Sequence, residues 1–377
     1  MRITMIGQKG LPAHSGGVER HVDDLVTRLT ASGHDVTAYC RKSYTLNKNL
    51  VQTYFGAHLV YIPTVQSKHF DTIIYTVLAT LHAIWQRADI IHYHGIGPAL
   101  CAWIPRVLTP RTRVIVTYHC QDYLHGKWSA PAQSALRLGE WMACRFAHQL
   151  IVVSKTLKRY VKQHYGRNAI YIPNSVAMPK RSVPKKITRY GLERGNYVLL
   201  VSRLIPHKGI HYAIEAYLQL AKMMGKEAPK LVIVGEGAHT EAYVKQLKDM
   251  SRKSSNIMML GAKSGEVLAE LYSNARLFVQ PSESEGLSIA LLEAMSYGCP
   301  VLVSDIAENK EVLPSVGYTF KNRDAKDLAH RLLVILKSTH RTKTAAVLNR
   351  AHIEKYYEAD TSFQKALRLY RQQARSS

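Results

Sequence analysis

The 377-residue sequence contains few cysteines, few acidic residues and no long apolar run. Its 5 cysteines are odd in number and form no CxxC pair or zinc-finger spacing, which argues against a disulfide framework or structural zinc site and favours a reducing cytosol. The longest apolar stretch, Thr72 to Trp85, is interrupted by His82 and is shorter than the roughly 20 residues of a membrane span. The N-terminal run, residues 1–7, is too short for a signal peptide. We therefore expect a cytoplasmic chain that does not cross a bilayer.

The shortage of acidic residues leaves a formal net charge of +24, from 51 Lys and Arg against 27 Asp and Glu. Residues 1–190 carry 25 basic and 8 acidic side chains, whereas residues 191–377 carry 26 and 19. No carboxylate occurs between Trp141 and Leu192. Such a field attracts phosphates of a nucleic acid, an anionic bilayer or an activated substrate, and charge alone does not choose among them.

The length and the 46% apolar fraction predict two domains, each with its own core. Short β-branched runs alternate with stretches of helical period, which is typical of parallel sheets wound with helices. The predicted strands of the first half are Ile3–Ile6, Val36–Tyr39, Leu59–Ile62, Ile90–His92, Val114–Tyr118, Leu150–Val153 and Ile170–Ile172. Those of the second half are Val198–Val201, Leu231–Val234, Ile257–Leu260, Leu277–Gln280 and Val301–Val303. Predicted helices of the first half are Gly17–Ala31, Asp71–Arg87, Pro98–Val107, Gln133–Ala147 and Lys155–His164.

A stretch containing Pro and Lys separates the two series of strands and sets the predicted boundaries. We expect an N-terminal domain over 1–180, a linker over 181–196, a C-terminal domain over 197–355 and a terminal helical segment over 356–377. An amphipathic face of that segment, with Phe363, Leu367 and Tyr370, predicts that it packs on a neighbour. Open α/β sheets bind ligands at the carboxyl ends of their strands, so we expect function in a cleft between the domains.

The most informative motif spans residues 279–295 and reads as a strand, a polar turn and a helix that opens near Gly286. A helix start offers unpaired amides and a positive dipole end, so the amides from Leu287 to Ile289 form a seat for phosphate. Glu285 lies at this N-terminus, and Glu293 lies about 12 Å further along the helix axis if the helix is continuous. Such carboxylates can hold sugar hydroxyls. The alternative is an N-cap glutamate and a partly buried helix glutamate.

Three loops that follow strands carry further candidates. Arg203 and Lys208 follow the first strand of the second domain, where two cations can neutralise a diphosphate leaving group. Gly235 and Gly237 form a two-glycine turn after the next strand, and residues 10–21 form a glycine-rich loop after the first strand of the chain. The two glycine-rich loops contain neither the GxGxxG fingerprint nor a P-loop. Ordinary solvated loops are the alternative interpretation.

Several histidines lie at strand ends of the first half. His119 ends a strand and is followed by Asp122, His92 and His94 end another strand, and His14 lies in a neighbouring loop. A strand-end histidine can exchange a proton with a reacting sugar or can be structural. No HExxH or Cys/His pattern accompanies them, so we predict no metal site.

The apolar helix predicted over Asp71–Arg87 has two interpretations, a membrane-surface helix or a crossover helix that buries one face in the core. Core packing is favoured because a β/α crossover helix must bury a face. This interpretation assigns to the core Ile73, Ile74, Val77, Leu78, Leu81, Ile84 and Trp85.

Together these residues resemble retaining glycosyltransferases of family 4. The resemblance rests on Ser15–Glu19, His119, Ile172–Ser175, Arg203 with Lys208, Gly235–Gly237 and the E-x7-E pair Glu285 and Glu293. The opening segment, residues 6–19, is similar to a bacterial surface-polysaccharide, rhamnosyltransferase-like subgroup. The resemblance implies an α/β, GT-B architecture of two Rossmann-like, doubly wound domains that face a central cleft. It also implies that the C-terminal helix returns to the first domain.

The resemblance also implies roles for individual residues. Glu293 would bind the nucleotide ribose, Glu285 the donor sugar, and Arg203 with Lys208 the diphosphate. The expected catalytic residues are His119, near the anomeric centre, with Glu285, Arg203 and Lys208. Further donor-binding positions are Gly16, Gly17, Gly235, Gly237, Gly286, Leu287 and Ser288. The acceptor candidates are His14, His92, His94 and Asp122. No metal or other cofactor is expected.

The function implied is retaining transfer of a sugar from a nucleotide-diphosphate sugar to a polysaccharide or lipid-linked acceptor in bacterial cell-surface glycan synthesis. The basic N-terminal domain would hold the enzyme on the inner face of the plasma membrane, although the same lysines can serve solubility. One alternative is a GT-B enzyme with a soluble small-molecule acceptor. A nucleic-acid-binding protein would explain the charge, but it leaves Glu285 and Glu293 without a task, and we expect no nucleic acid.

Overall fold

The computed structural model describes residues 1–13, 16–42, 51–63, 70–124, 128–238, 240–314 and 317–375. The chain divides into two compact units. Unit 1 comprises Met1–Asn174 and Asp360–Ser377, and unit 2 comprises Ser175–Ala359.

In unit 1 the described strands form one sheet in the order β3-β4-β2-β1-β5-β6-β7-β8, in which every pairing is parallel except that of β3 with β4. The strands are β1 (Arg2–Ile6), β2 (Asp35–Arg41), β3 (Thr53–Tyr54), β4 (Ala57–Ile62), β5 (Ile90–His94), β6 (Arg113–Tyr118), β7 (Gln149–Val152) and β8 (Ile170–Tyr171). The helices of its N-terminal segment are α1 (Gly17–Ala31), α2 (Phe70–Trp85), α3 (Trp103–Leu108), α4 (Ala130–Phe146) and α5 (Lys155–Tyr165).

The sheet of unit 1 is covered on both faces, as parallel sheets generally are. All five residues of β5 are buried, and so are four of the five residues of β1. The C-terminal helix α13 (Ala359–Arg375) packs into this core through Phe363, Leu367 and Tyr370. These are the residues whose spacing predicts a buried face.

In unit 2 the described strands form a parallel sheet in the order β11-β10-β9-β12-β13-β14. They are β9 (Tyr197–Val201), β10 (Lys230–Val234), β11 (Ile257–Met259), β12 (Leu277–Gln280), β13 (Val301–Ser304) and β14 (Tyr318–Phe320). The helices are α6 (Ile210–Met224), α7 (Glu241–Ser251), α8 (Gly265–Asn274), α9 (Ile289–Ser296), α10 (Ala307–Val312), α11 (Ala325–Leu336) and α12 (Thr339–Tyr356). The two parallel, helix-wrapped sheets confirm the predicted α/β, Rossmann-like fold class.

Three local predictions differ from the structure. The helix expected over Pro98–Val107 is a 3-10 turn over Pro98–Cys101 followed by α3. Pro105 has no N–H for an i−4 hydrogen bond and is tolerated only in a first turn, so the helix begins again at Trp103. The short strands β3 and β14 were not predicted, although the equally short β8 and β11 were.

Residues 181–196, for which the sequence predicts a linker, pack against α8 of unit 2. The buried Glu270 carboxylate accepts hydrogen bonds from the amides of Lys185, Lys186 and Ile187 at 2.9, 2.7 and 3.1 Å. The Arg181 guanidinium donates to the Ser273 carbonyl oxygen at 2.7 Å. These contacts tie part of the basic stretch to the second unit.

Helix α2 overturns the interpretation that its large apolar residues form core. It buries Tyr75, Thr76, Ala79, Thr80 and Ala83. The exposed large apolar residues are Ile73, Leu78, Leu81 and Trp85, the last of them 74% exposed. Ile74, Val77 and Ile84 are partly buried. The buried face therefore consists of one tyrosine with threonines and alanines, and the large aliphatic side chains lie mainly on the other faces.

Candidate active site

The predicted donor-binding residues of unit 2 follow three adjacent strands, β10, β9 and β12. Arg203 and Lys208 follow β9, Gly235 and Gly237 follow β10, and Glu285 follows β12. The strands are parallel, so their carboxyl ends share one edge of the sheet. Sequence and topology together therefore gather cationic, glycine-rich and acidic loops at that edge.

An ion pair between Lys208 and Glu285 joins two of these loops. The Lys208 ammonium donates to Oε1 and Oε2 of Glu285 at 2.6 and 2.7 Å. The side chains are only 15% and 7% exposed, respectively. The guanidinium of Arg203, two residues beyond β9, has no ion-pair partner within the part of the chain that the structure describes. The loop after β12 also carries Glu283, which pairs with Arg323 at 2.8 Å. Arg203 thus differs from Lys208 in having no carboxylate partner among the described residues.

Gly209 lets the Lys208 loop approach the loop after β12. Its φ is +67°, and a Cβ at this position would lie 2.0 Å from the Pro281 carbonyl oxygen. The Glu283 amide also donates to the His207 carbonyl oxygen at 2.8 Å. A side chain at residue 209 would force these loops apart, so the glycine is needed to bring Lys208 to Glu285.

Gly235 has a similar role between the loops after β10 and β9. Its φ is +143°, and a Cβ would lie 1.8 Å from the Ser202 carbonyl oxygen. The Leu204 amide donates to the Glu236 carbonyl oxygen at 2.8 Å, which continues the pairing beyond the strands. Gly237 approaches a side chain instead, since its Cβ would lie 2.8 Å from Val244 Cγ2.

Helix α9 begins three residues after Gly286, so Glu285 lies outside the helix. The prediction of about 12 Å between Glu285 and Glu293 assumed a continuous helix and does not hold, because residues 285–288 form a turn. Ser288 is the N-cap, and its hydroxyl oxygen accepts from the Leu291 amide at 3.3 Å. The same hydroxyl donates to Gln280 Oε1 at 2.6 Å. Gly286 and Leu287 are buried in this turn.

Glu293 lies one turn inside α9 and is partly buried. The Tyr272 hydroxyl donates to Glu293 Oε2 at 3.0 Å, and the Tyr272 ring stacks on Tyr297 with centroids 5.6 Å apart. This hydrogen bond orients the carboxylate.

The sequence reasoning did not identify Glu308, which lies in the first turn of α10 after β13. Burial raises the pKa of its carboxyl, and the charges of Glu285 and Glu311 raise it further. Perturbed carboxyls of this kind are concentrated at functional sites. Glu308 follows β13, and β13 pairs with β12, the strand that precedes Glu285. Its place after a strand is visible in the sequence, but that this strand adjoins β12 is known only from the structure.

In unit 1 the strand-end histidines form a cluster that includes His21 of α1. His94 Nδ1 lies 3.3 Å from His119 Nε2, and the His21 ring is 5.1 Å from that of His119 between centroids. His94 and His119 are buried, whereas His21 is partly buried. His21 was not among the predicted site residues, although its place near the start of α1 follows the glycine-rich loop.

Burial controls the charge of this cluster. It lowers the pKa of His21 to about 4 and that of His92 to about 3. Burial and then neighbouring histidines hold the pKa values of His94 and His119 well below 6.5. The rings are therefore neutral at pH 7 and can accept a proton or a cation through a ring nitrogen.

The remaining predicted residues of unit 1 have different surroundings. Both His92 nitrogens are engaged, Nδ1 by the Tyr370 hydroxyl at 2.6 Å and Nε2 by the Thr117 hydroxyl at 2.7 Å, which assigns His92 to the core rather than to acceptor binding. Asp122 is partly buried just beyond β6. His14 lies outside the described residues.

Gly16 precedes Gly17, the first residue of α1, and has a φ of +101°. A Cβ on Gly16 would lie 2.0 Å from Glu19 Oε2. The other oxygen of Glu19 accepts from the Lys9 amide at 3.3 Å. A carboxylate of the chain itself therefore lies beside this glycine pair.

Two family models match nearly the whole chain. The model described as Glycosyltransferase Family 4 matches residues 15–178, and the one described as Glycosyl transferases group 1 matches residues 183–354. The chain belongs to the glycosyltransferases of the GT-B type.

Individual relatives agree with this assignment. This glycosyltransferase is 30% identical to O-antigen chain mannosyltransferase B of Escherichia coli over 179 residues, which are 48% of this chain and 46% of that protein. Sucrose-phosphate synthase from Thermosynechococcus elongatus superposes with a TM-score of 0.84 at 22% identity, over 100% of both chains. HepE of Anabaena, solved with UDP-glucose, superposes with a TM-score of 0.80 at 19% identity over 99% of this chain and 100% of that chain. At these identities the solved structures establish the fold alone, which is the predicted GT-B fold.

Proposed function

We propose that this glycosyltransferase retains anomeric configuration and moves a sugar from a nucleotide-diphosphate sugar to a glycan or lipid-linked acceptor of a bacterial cell surface. The observation that carries the proposal is the clustering of Arg203, Lys208 and Glu285 with the N-terminus of α9 at one strand edge of unit 2. Cations and helix amides suit a diphosphate, and carboxylates suit sugar hydroxyls. HepE, a relative in fold, was solved with such a donor.

Each side chain has one task in this proposal. Arg203 and Lys208 neutralise charge that develops on the departing diphosphate, Glu285 accepts hydrogen bonds from the donor sugar, and Glu293 accepts them from the ribose. Lys208 already contacts Glu285, so a phosphate and a sugar hydroxyl would share a preformed pair. These cations supply the positive charge for the leaving group, and the proposed transfer has no metal requirement.

Retention follows from attack on the face that the leaving group departs from. The bond between the anomeric carbon and the phosphate oxygen breaks, and a bond between that carbon and the acceptor oxygen forms on the same face. The acceptor proton passes to an oxygen of the leaving diphosphate. His119, neutral because of its burial, accepts or donates a hydrogen bond at the reacting sugar.

A screen of nucleotide sugars tests the donor assignment. A ligand that binds only the folded protein raises its melting temperature, so one nucleotide-diphosphate sugar should raise Tm more than its sugar-free nucleotide. Arg203→Met should abolish the shift, whereas Arg252→Met, at an exposed position of unit 2, should keep it. Equal shifts in both variants, or none with any donor, would contradict the proposal. Anomer-resolved NMR of the product decides between retention and inversion.

The proposed location of the acceptor rests on an apolar, basic surface of unit 1. Helix α3 packs against α2 and α4. The exposed large apolar residues of these helices are Ile73, Leu78, Leu81, Trp85, Trp103, Val107, Leu108, Leu138 and Trp141. Their exposed basic neighbours include Arg106, Arg137 and Arg145. This set is hereafter the α2–α4 surface.

The charge of the α2–α4 surface supports an anionic bilayer as its proposed partner. The three helices contain two carboxylates, Asp71 and Glu140. Asp71 pairs with Arg41 at 2.8 Å, and Glu140 is buried and accepts from the Tyr118 hydroxyl at 2.8 Å. Exposed arginines beside tryptophan and leucine match the interface of an anionic membrane, where lipid-linked acceptors are found. No helix among the described residues is long and apolar enough to span a bilayer.

Vesicle sedimentation tests the membrane assignment. The protein should sediment with phosphatidylglycerol vesicles at low salt, less at high salt, and little with phosphatidylcholine alone. Trp85→Ser should weaken binding, whereas Val347→Ser, which changes a 70% exposed residue of unit 2, should not. Equal binding by both variants would contradict the assignment. Self-association that is lost in Trp85→Ser, without vesicle binding, would assign the surface to contacts between copies.

A soluble acceptor is the second candidate, favoured by the likeness in fold to sucrose-phosphate synthase. Transfer to a soluble sugar or sugar phosphate at a rate unaffected by vesicles would support it. Nucleic-acid binding remains a third interpretation of the net charge, and salt-sensitive DNA affinity without turnover of any nucleotide sugar would favour it.

A further inference from the structure

We propose that His21, His94 and His119 form a binding site for one zinc-class divalent ion within unit 1. One ring nitrogen from each histidine lies within 4.8 Å of the others. Imidazole is a preferred ligand of zinc, cobalt and nickel, and a three-histidine set with an open fourth position is an established zinc geometry.

The separations suit this type of ion. Ligands about 2.0–2.1 Å from a tetrahedral ion lie about 3.4 Å from each other. His94 Nδ1 and His119 Nε2 are already 3.3 Å apart. The three nitrogens lie within 4.8 Å of one another, so that of His21 must move inward by up to about 1.4 Å. His21 is carried by α1 and is only partly buried, so rotation of its side chain supplies this movement.

The hydrogen bonds of the neighbouring histidines show which ring nitrogens are available. His94 Nδ1 is hydrogen-bonded to His119 Nε2, and an ion held by both atoms would replace that bond. His94 Nε2, the other ring nitrogen, has no hydrogen-bond partner among the described residues. Both nitrogens of the adjacent His92 are satisfied, and its ring lies 4.0 Å from that of His94 between centroids, so His92 does not compete for the ion.

The chemistry of the ligands limits which ions could bind. A histidine coordinates a metal through an unprotonated ring nitrogen. No carboxylate belongs to the set found among the described residues, so the bound ion keeps its full charge of two. The fourth position would then be taken by water or by an anion such as a phosphate oxygen.

Occupancy would inhibit transfer, a consequence that rests on the proposed role of His119. An ion that uses the His119 lone pair removes the group that would contact the reacting sugar. The site would therefore act as an inhibitory zinc site, and the transfer reaction itself still needs no metal.

Direct titration tests the site without reference to activity. The full chain, stripped with EDTA and desalted, is titrated with Co²⁺ while its visible spectrum is followed, and with Zn²⁺ by calorimetry. We expect one ion per chain and the intense visible absorption of four-coordinate cobalt. Loss of an outer-shell partner alone weakens metal sites 10–100-fold, so His21→Gln and His94→Gln should each weaken binding by about 100-fold or more. His330→Gln, at an exposed position on α11, should leave it unchanged.

The outcomes separate the site from other histidines and from the proposed function. Absence of binding, or equal affinity in wild type and His21→Gln, would overturn the proposal. If the variants fail to fold, X-ray absorption of the zinc-loaded wild type counts imidazole ligands, and fewer than three would overturn it. Inhibition by Zn²⁺ that EDTA reverses would support the inhibitory consequence. Tight binding without inhibition would leave the site intact and refute the role of His119.

Discussion

The Lys208–Glu285 pair permits a double-mutant test that separates a structural ion pair from a functional one. Lys208→Met keeps the length of the side chain, and Glu285→Gln keeps its shape. Both charged groups are mostly buried, at 15% and 7% exposure, and are 2.6 Å apart. Removing one partner of a buried pair costs about 3–5 kcal/mol, because the other charge is left uncompensated. Because both side chains are slightly exposed, we expect each single substitution to lower the free energy of unfolding by about 3 kcal/mol, the lower end of this range.

In a domain the size of unit 2, about 3 kcal/mol corresponds to a fall in melting temperature of about 6–12 °C. The double variant removes both charges, so most of this loss should be recovered. Activity should follow a different pattern. Lys208→Met should lower kcat by about 100-fold or more, since a cation next to the leaving group is lost, and the double variant should stay as slow.

Differential scanning calorimetry and initial rates with the preferred donor measure these two patterns. If the double variant regains wild-type turnover together with stability, the pair is only structural and our site assignment is wrong. If either single variant keeps both wild-type stability and wild-type kcat/KM, the burial argument itself is refuted. Arg252→Met, which breaks an exposed pair on the same unit, serves as the control and should leave both quantities unchanged.

Three further changes test other parts of the structure. Gly235→Ala should destabilise unit 2 by at least about 2 kcal/mol, because φ is +143° and its Cβ would overlap the Ser202 carbonyl oxygen; an unchanged urea midpoint would contradict this. Tyr370→Phe should lower the free energy of unfolding of unit 1 by about 1–3 kcal/mol, because His92 loses its hydrogen bond to the Tyr370 hydroxyl. Proteolysis of the C-terminal helix should then be faster, and an unchanged cleavage rate would argue against this reasoning. Burial lowers the pKa of His21 to about 4, so the unfolded chain binds this proton at a higher pH than the folded chain does. As the pH falls from 6.5 to 4, His21 alone should therefore lower the free energy of unfolding by about 1.4 kcal/mol per pH unit. Urea melts of wild type and His21→Gln should show that difference in slope, and parallel slopes would disprove it.

The fold was predictable because its signal is local. Each buried parallel strand reads as a short β-branched run, and each crossover helix as a longer stretch of helical period, so runs such as Val198–Val201 mark the strands without knowledge of their partners. Errors occurred where local signals are weak or conflict. The prediction of one helix over Pro98–Val107 did not allow for the break that Pro105 causes, and the short strands β3 and β14 were missed.

The outward face of α2 shows a different limit. The sequence predicts an apolar helix, but both a core helix and a surface helix are apolar. Only packing shows that Ala79 and Ala83 face inward while Leu81 and Trp85 face solvent. The buried face also holds Tyr75, so neither hydrophobicity nor size along the sequence predicts the orientation of this helix.

The sequence by itself determined two parallel α/β units and the placement of Arg203, Lys208 and Glu285 after strands, because periodicity and strand ends are properties of neighbouring residues. The tertiary structure alone decided that Lys208 meets Glu285, 77 residues away, and that His21 joins His94 and His119. These contacts depend on the order of strands in each sheet, which places β12 beside β9 and β6 beside β5. Strand order is set by the packing of the whole unit, so a local pattern does not encode it.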